Sequence, residues 1–203
     1  IVLNINTDSS LYQLKKAEFS IEDLLFDIEG KYTNNKDSSF MNLNIKGRNI
    51  DLQTAFSIFP KEYFKVLSEY KASGIVVFET KIEGVISKDS SPSIISDFSL
   101  RNGSLIEKNT GAHLNQLSLE GHFESRNKKN KEQITFKNIN GVLENGKIKG
   151  NVKVSNFENP SVKVDLKGNL SMAKIKQFIN SEQIEALEGN ASFEVEFAGI
   201  FNT

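Results

Sequence analysis

Apolar and polar residues alternate along most of the chain. From Asn190 to Gly199, Ala191, Phe193, Val195 and Phe197 fall on one side, and Ser192, Glu194 and Glu196 on the other. Successive side chains of a strand point to opposite faces, so this period of two predicts a strand with one apolar face. The same period runs through Met41-Leu43-Ile45, Leu117-Leu119-Gly121-Phe123, Ile148-Gly150-Val152-Val154 and Val162-Val164-Leu166. Turn signals separate the runs at Asn34-Asn35-Lys36-Asp37, Asn102-Gly103, Asn145-Gly146 and Asn159-Pro160. Asn145-Gly146, between Val142-Leu143 and Ile148, predicts a hairpin with a type I′ turn.

Two stretches change the period. Leu52, Ala55, Phe56, Phe59, Tyr63, Phe64 and Leu67 recur at helical spacing, with Asp51 placed to cap the start and Pro60 dividing the run. Met172, Ile175, Phe178 and Ile179 do the same, with Ser171 as the cap. The pattern therefore predicts a mostly antiparallel sheet with two short helical insertions.

The runs also recur. With Lys46-Gly47 placed over Lys167-Gly168, Met41, Leu43 and Ile45 fall over Val162, Val164 and Leu166. Upstream, Ile28-Glu29-Gly30 falls over Ile148-Lys149-Gly150. Both copies then enter a helical stretch and leave it into a glycine-bounded interval, Gly74 to Gly84 in one and Gly189 to Gly199 in the other. Within these intervals Val76, Phe78, Thr80 and Ile82 match Ala191, Phe193, Val195 and Phe197. The predicted repeat copies cover about residues 20–86 and 141–201, joined by strands within 92–139.

Composition agrees with strands. The 203 residues hold 22 Asn, 13 Gly and 15 Phe but only 8 Ala and 3 Pro, a mixture suited to strands and tight polar turns. Lys and Arg number 25 against 26 Asp and Glu, so net charge gives no reason to propose nucleic acid as a partner. No cysteine occurs, which excludes disulfides and thiolate metal sites. No run approaches the roughly 20 apolar residues needed to cross a bilayer as a helix. The alternation already under way at Ile1 to Asn6, and the end just after Gly199-Ile200-Phe201, read as a fragment of a larger repetitive protein.

Catalytic chemistry has little to work with. The two histidines, His113 and His122, lack a third ligand at a metal-binding spacing. No nucleophile elbow, phosphate-binding loop or dinucleotide fingerprint is present. Neither a cofactor nor a metal is expected, and the function predicted is not enzymatic. The charged run Arg126 to Glu132 reads as a solvated hairpin loop. The apolar strand faces carry the open question: they either close into a core between two sheets or line a groove.

The segment SGIVVFETKIEGVI, followed by SPSIISDFSLRNGSLIEKNTGAHLNQLSLEGHFES, resembles the AsmA family of bacterial envelope proteins, which is related to the TamB group. The resemblance rests on a glycine-bounded strand and on Pro92, Ile94, Asp97, Phe98, Leu100, Asn102, Gly103 and Leu105 in the stretch that follows. VKVDLKGNLSMAKIKQFI resembles the family's strand-then-short-helix step. Membership implies a periplasmic protein anchored in the inner membrane by a helix absent from this fragment. It also implies a long curved sheet with an apolar lining that carries phospholipid towards the outer membrane.

The combined expectation is a mainly β fold: a curved antiparallel sheet, an open trough or sandwich-like, built from two imperfect repeats. The function expected is non-enzymatic support of outer-membrane lipid homeostasis, with acyl chains sheltered along the sheet. The lipid-facing candidates are Leu43, Ile45, Val76, Phe78, Ile82, Val164, Leu166, Phe193, Val195 and Phe197. The alternative is a closed β-sandwich serving as a structural or protein-interaction module of the envelope.

Overall fold

Antiparallel strands that follow one another in sequence can be joined by short hairpins, as Gln133–Leu143, Gly146–Ser155 and Ser161–Ser171 are here, while longer segments join Ser39–Asp51 to Tyr70–Ile86 and Ser161–Ser171 to Asn190–Ile200. The computed structural model describes residues 2–6, 10–21, 24–34, 37–57, 68–126, 132–171 and 189–200. They form one antiparallel sheet of eleven strands in sequence order. The strands are β1 (Val2–Asn6), β2 (Leu11–Ile21), β3 (Leu24–Asn34), β4 (Ser39–Asp51), β5 (Tyr70–Ile86) and β6 (Ser93–Glu107). There follow β7 (His113–Ser125), β8 (Gln133–Leu143), β9 (Gly146–Ser155), β10 (Ser161–Ser171) and β11 (Asn190–Ile200). Among the described residues a single short helix, α1 (Leu52–Ser57), lies between β4 and β5. The sheet is not closed, because β1 and β11 are opposite edges.

Residues directly opposed in an antiparallel ladder share a face, so the register assigns faces without ambiguity. One rung runs Phe26, Gly47, Phe78, Phe98, Gly121, Phe136, Val152, Val164, Phe197, across nine strands without a polar residue. The adjacent rung runs Asp27, Lys46, Glu79, Asp97, His122, Thr135, Lys153, Lys163, Ala198. The alternation read along single strands is thus in phase from β3 to β11. One face is apolar and the other charged.

Glycine in the apolar rung has a packing cause. The Phe26 and Phe78 rings meet at 6.2 Å although a strand separates them, and the residue between them is Gly47. The Phe98 and Phe136 rings meet at 6.0 Å across Gly121 in the same way. A Cβ on Gly121 would lie 2.0 Å from the Phe98 ring, so any other residue there would displace the ring.

Five consecutive strands carry a register shift at one level: after Gly47 in β4, Ser73 in β5, Leu100 in β6, Asn115 in β7 and Phe136 in β8. Asn49, Asn102, Gln116 and Asn138 occupy four of them with φ of 50–56°. Bulges of this kind bend a strand and sharpen its twist, so their alignment makes a crease across the sheet. The buried core lies at this crease: Ile50, Leu52, Val76, Leu100 and Leu117 pack together, with Phe26, Ala55, Phe78 and Leu105 around them. The α1 helix contributes Leu52 and covers this end. The Asp51 carboxylate accepts the Thr54 backbone N–H at 3.1 Å, the cap that the sequence predicts.

Several local expectations need correction. Asn102-Gly103 is a bulge and not a turn, since β6 runs through it from Ser93 to Glu107. The β8–β9 hairpin forms, but its loop is Glu144-Asn145, with Gly146 paired to Leu143. The shift by one residue places Gly146 where a Cβ would meet the Asn169 carbonyl at 1.7 Å, which only glycine avoids. The first helical stretch is described over Leu52–Ser57, and its continuation past Pro60 to Leu67 lies outside the described residues. Ser171 is the last residue of β10, paired with Asn190; the second helical stretch beyond it also lies outside the described residues.

Candidate functional site: an open apolar face

A closed sandwich buries its apolar face against a second sheet about 10 Å away. Here every described strand belongs to one sheet. Among the described residues only six apolar side chains are buried, and five of them form the cluster at the crease; the sixth is Ala17. Away from the crease the apolar face is half-buried by its own neighbours and has no second layer among the described residues. Towards β11 it opens further, with Val195 45% and Phe197 42% exposed.

The sequence candidates all project from this face. Leu43 pairs with Ile82, Ile45 with Thr80, Val164 with Phe197, and Leu166 with Val195. Phe78 lies over Gly47, and Phe193 is opposed to Gly168. Val76 differs from the rest: it is 8% exposed and sits inside the crease cluster, beneath α1. Leu43, Ile45, Ile82, Phe78, Val164, Leu166 and Phe193 are half-buried. The candidates thus divide into two clusters at the two sides of the sheet. What joins them is the middle of the apolar rung, Phe98, Phe136 and Val152, which the reading by repeats passed over. They lie on β6, β8 and β9, and the period of two through β9 was the signal for Val152.

The charged face is knitted by cross-strand pairs. Lys46 Nζ lies 3.2 Å from Glu79 Oε1, and Arg48 Nη2 2.8 Å from Asp27 Oδ2. Hydrogen bonds from Lys46 and Asn44 hold the Glu79 carboxyl below its usual range. Exposed pairs of this kind contribute little stability each. At the β6–β7 turn the Glu107 carboxylate accepts the Thr110 hydroxyl and the Asn109 and Thr110 backbone N–H groups. These donors bring its pKa down to about 2.

The histidines do not share a site. His113 Nε2 is 2.9 Å from Ser104 Oγ, and His122 Nδ1 is 2.7 Å from Asp97 Oδ1. Nine residues of one extended strand separate them, roughly 30 Å at about 3.3 Å per residue. Among the described residues no group of three His, Asp or Glu side chains is placed to hold a metal ion. No described helix is long and apolar enough to cross a membrane. No family model matches the chain, and no curated protein or solved structure matches it.

Proposed function

We propose that the apolar face is a lipid-binding groove, and that the chain shelters acyl chains as a non-enzymatic segment of an AsmA-like envelope protein. The observation that carries the reading is the unbroken apolar rung from Phe26 to Phe197, on a sheet with no second layer among the described residues. An apolar surface this wide, open among the described residues, marks a site for an apolar partner. Nine strands at about 4.8 Å spacing give a path of roughly 40 Å. That exceeds the roughly 15 Å of half a bilayer's hydrocarbon core, so the face can take more than one acyl chain end to end. Each methylene withdrawn from water contributes about 0.8 kcal/mol, enough to hold a lipid without specific contacts.

The setting follows the family resemblance: the periplasm, an inner-membrane anchor elsewhere in the protein, and support of the outer membrane's lipid supply. Duplication of one unit is part of the same reading. Met41, Leu43, Ile45 and Gly47 oppose Gly84, Ile82, Thr80 and Phe78, while Val162, Val164, Leu166 and Gly168 oppose Gly199, Phe197, Val195 and Phe193. These two strand pairs keep equivalent partners, which supports an ancestral strand-pair unit, whereas Gly30 opposes Leu43 and Gly150 opposes Leu166, two residues out of step with the sequence match.

Native mass spectrometry of protein purified from a bacterial host tests the proposal. Phospholipid adducts that survive gentle desolvation are the expected result. A clean apo mass across all gentle conditions would favour the interaction module, with a protein covering the apolar face.

A further inference from the structure

The charged face is not uniform. Over β8 to β10 it carries Lys137, Lys147, Lys149, Lys153, Lys163 and Lys167 against one carboxylate, Asp165. Lys149 directly opposes Lys167, and Lys153 opposes Lys163. Like charges facing each other across a ladder are destabilising. Between β5 and β6 such a pair is relieved: Glu79 and Asp97 oppose each other, but Lys46 reaches one and His122 the other. Among the described residues, Lys167 alone of the six lysines has an ion pair, at 3.7 Å from Glu194.

A hollow of about 770 Å³ lies on this lysine-rich region. Its lining takes in the polar rung Asn140-Lys149-Lys167-Glu194 and, one step along, Val142, Lys147, Asn169 and Ser192, with Gly141, Ile148, Gly168 and Phe193 of the apolar rung between them. The next apolar rungs on either side are absent from it, so it opens on the charged face. The Asn169 side-chain oxygen already accepts the Lys147 backbone N–H at 2.7 Å, which leaves its amide hydrogens to donate. A second hollow on the same face, about 480 Å³ over β4 to β7, makes the contrast. Its lining holds Lys46 and Arg48 with Glu79, Asp97 and Glu120, so its charges offset each other.

We propose that the larger hollow binds a multivalent phosphate-bearing ligand. Lys147 and Lys149, with Lys167 partly offset by Glu194, supply compact positive charge with freely rotating donors, which suits phosphate oxygens spread over a small molecule. Asn169, Asn140 and Ser192 supply neutral groups for sugar-like or glycerol-like hydroxyls. Phe193, opposed to Gly168, is the one aromatic residue of the lining. Such a ligand arrives either free or as the head group of an anionic lipid at a membrane surface. The site is on the face opposite the proposed groove, and lipid retention by the groove can fail without touching it.

Two titrations test the site: fructose 1,6-bisphosphate by calorimetry, and co-sedimentation with phosphatidylcholine vesicles with and without phosphatidylglycerol. The double substitution Lys147→Glu with Lys149→Glu is compared with Lys31→Glu with Lys71→Glu, which changes net charge equally at a distance. Binding weakened by roughly tenfold or more in the first variant alone is the expected result. Loss seen with the soluble bisphosphate identifies a free ligand, and loss seen only with anionic vesicles identifies a head group. No binding to either probe, or equal weakening in both variants, overturns the proposal. If the first variant does not fold, the pair Lys147→Gln with Lys149→Gln carries the same comparison.

Discussion

Val195→Glu is expected to fold as the native chain does and to lose its lipid. Val195 is 45% exposed on β11, an edge strand, so a carboxylate there reaches water without entering a closed core. A substitution at such a position changes stability by about 0.5 kcal/mol or less, a shift of roughly 2 °C in melting temperature for a chain of this size. The same charge interrupts the apolar lining between Phe193 and Phe197, and the phospholipid adducts seen by mass spectrometry should fall several-fold. Buried charge is costly only where water is excluded, so the two readouts separate the accounts. A chain that fails to fold would place Val195 under a second layer. Folded protein with undiminished lipid would remove β11 from the groove.

The second large effect belongs to the crease. Leu100 is 5% exposed and packed with Ile50, Leu52, Val76 and Leu117, so Leu100→Ala leaves a cavity that its neighbours cannot fill. The expected cost is about 3–5 kcal/mol, a large share of the roughly 5–15 kcal/mol that holds a typical domain folded. Leu166→Ala, on the open part of the same face, removes a half-buried side chain and should cost only about 1 kcal/mol. Denaturant midpoints of the two variants make the comparison. Equal large losses would mean that the whole apolar face is a closed core.

Alternation along β4, β7, β9, β10 and β11 was legible because a half-buried strand imposes a period of two whatever surrounds it. The Asp51 cap was legible for a similar reason: an acceptor is needed three residues before the Thr54 N–H, and the sequence supplies one. The crease was not. Asn-Gly favours a left-handed backbone, and both a tight turn and a bulge use it. At Asn102 the outcome is decided by β5 and β7, which pair with β6 on either side and hold it extended. Pairing of that kind is set by distant sequence, which a local reading does not reach.

The openness of the sheet was equally out of reach. A sandwich and a groove impose the same alternation on each strand, and they differ only in whether a second layer exists. Val76 illustrates the cost. It fits the apolar period as well as Phe78 or Ile82, yet the crease and α1 remove it from the accessible lining. The lysine-rich hollow also has no local signature, since Lys149 and Lys167 become neighbours only through the β9–β10 register.

The central claim is that lipid lies on one face of this sheet, and site-specific photocrosslinking along β11 tests it most directly. A benzophenone side chain is introduced singly at Phe193, Glu194, Val195, Glu196 and Phe197, and each protein is irradiated with a labelled phospholipid. Crosslinks are expected from Phe193, Val195 and Phe197 and not from Glu194 or Glu196, a period of two that matches the register with β10. Crosslinks of equal yield at all five positions, or none at the three apolar ones, would contradict a lipid-binding face.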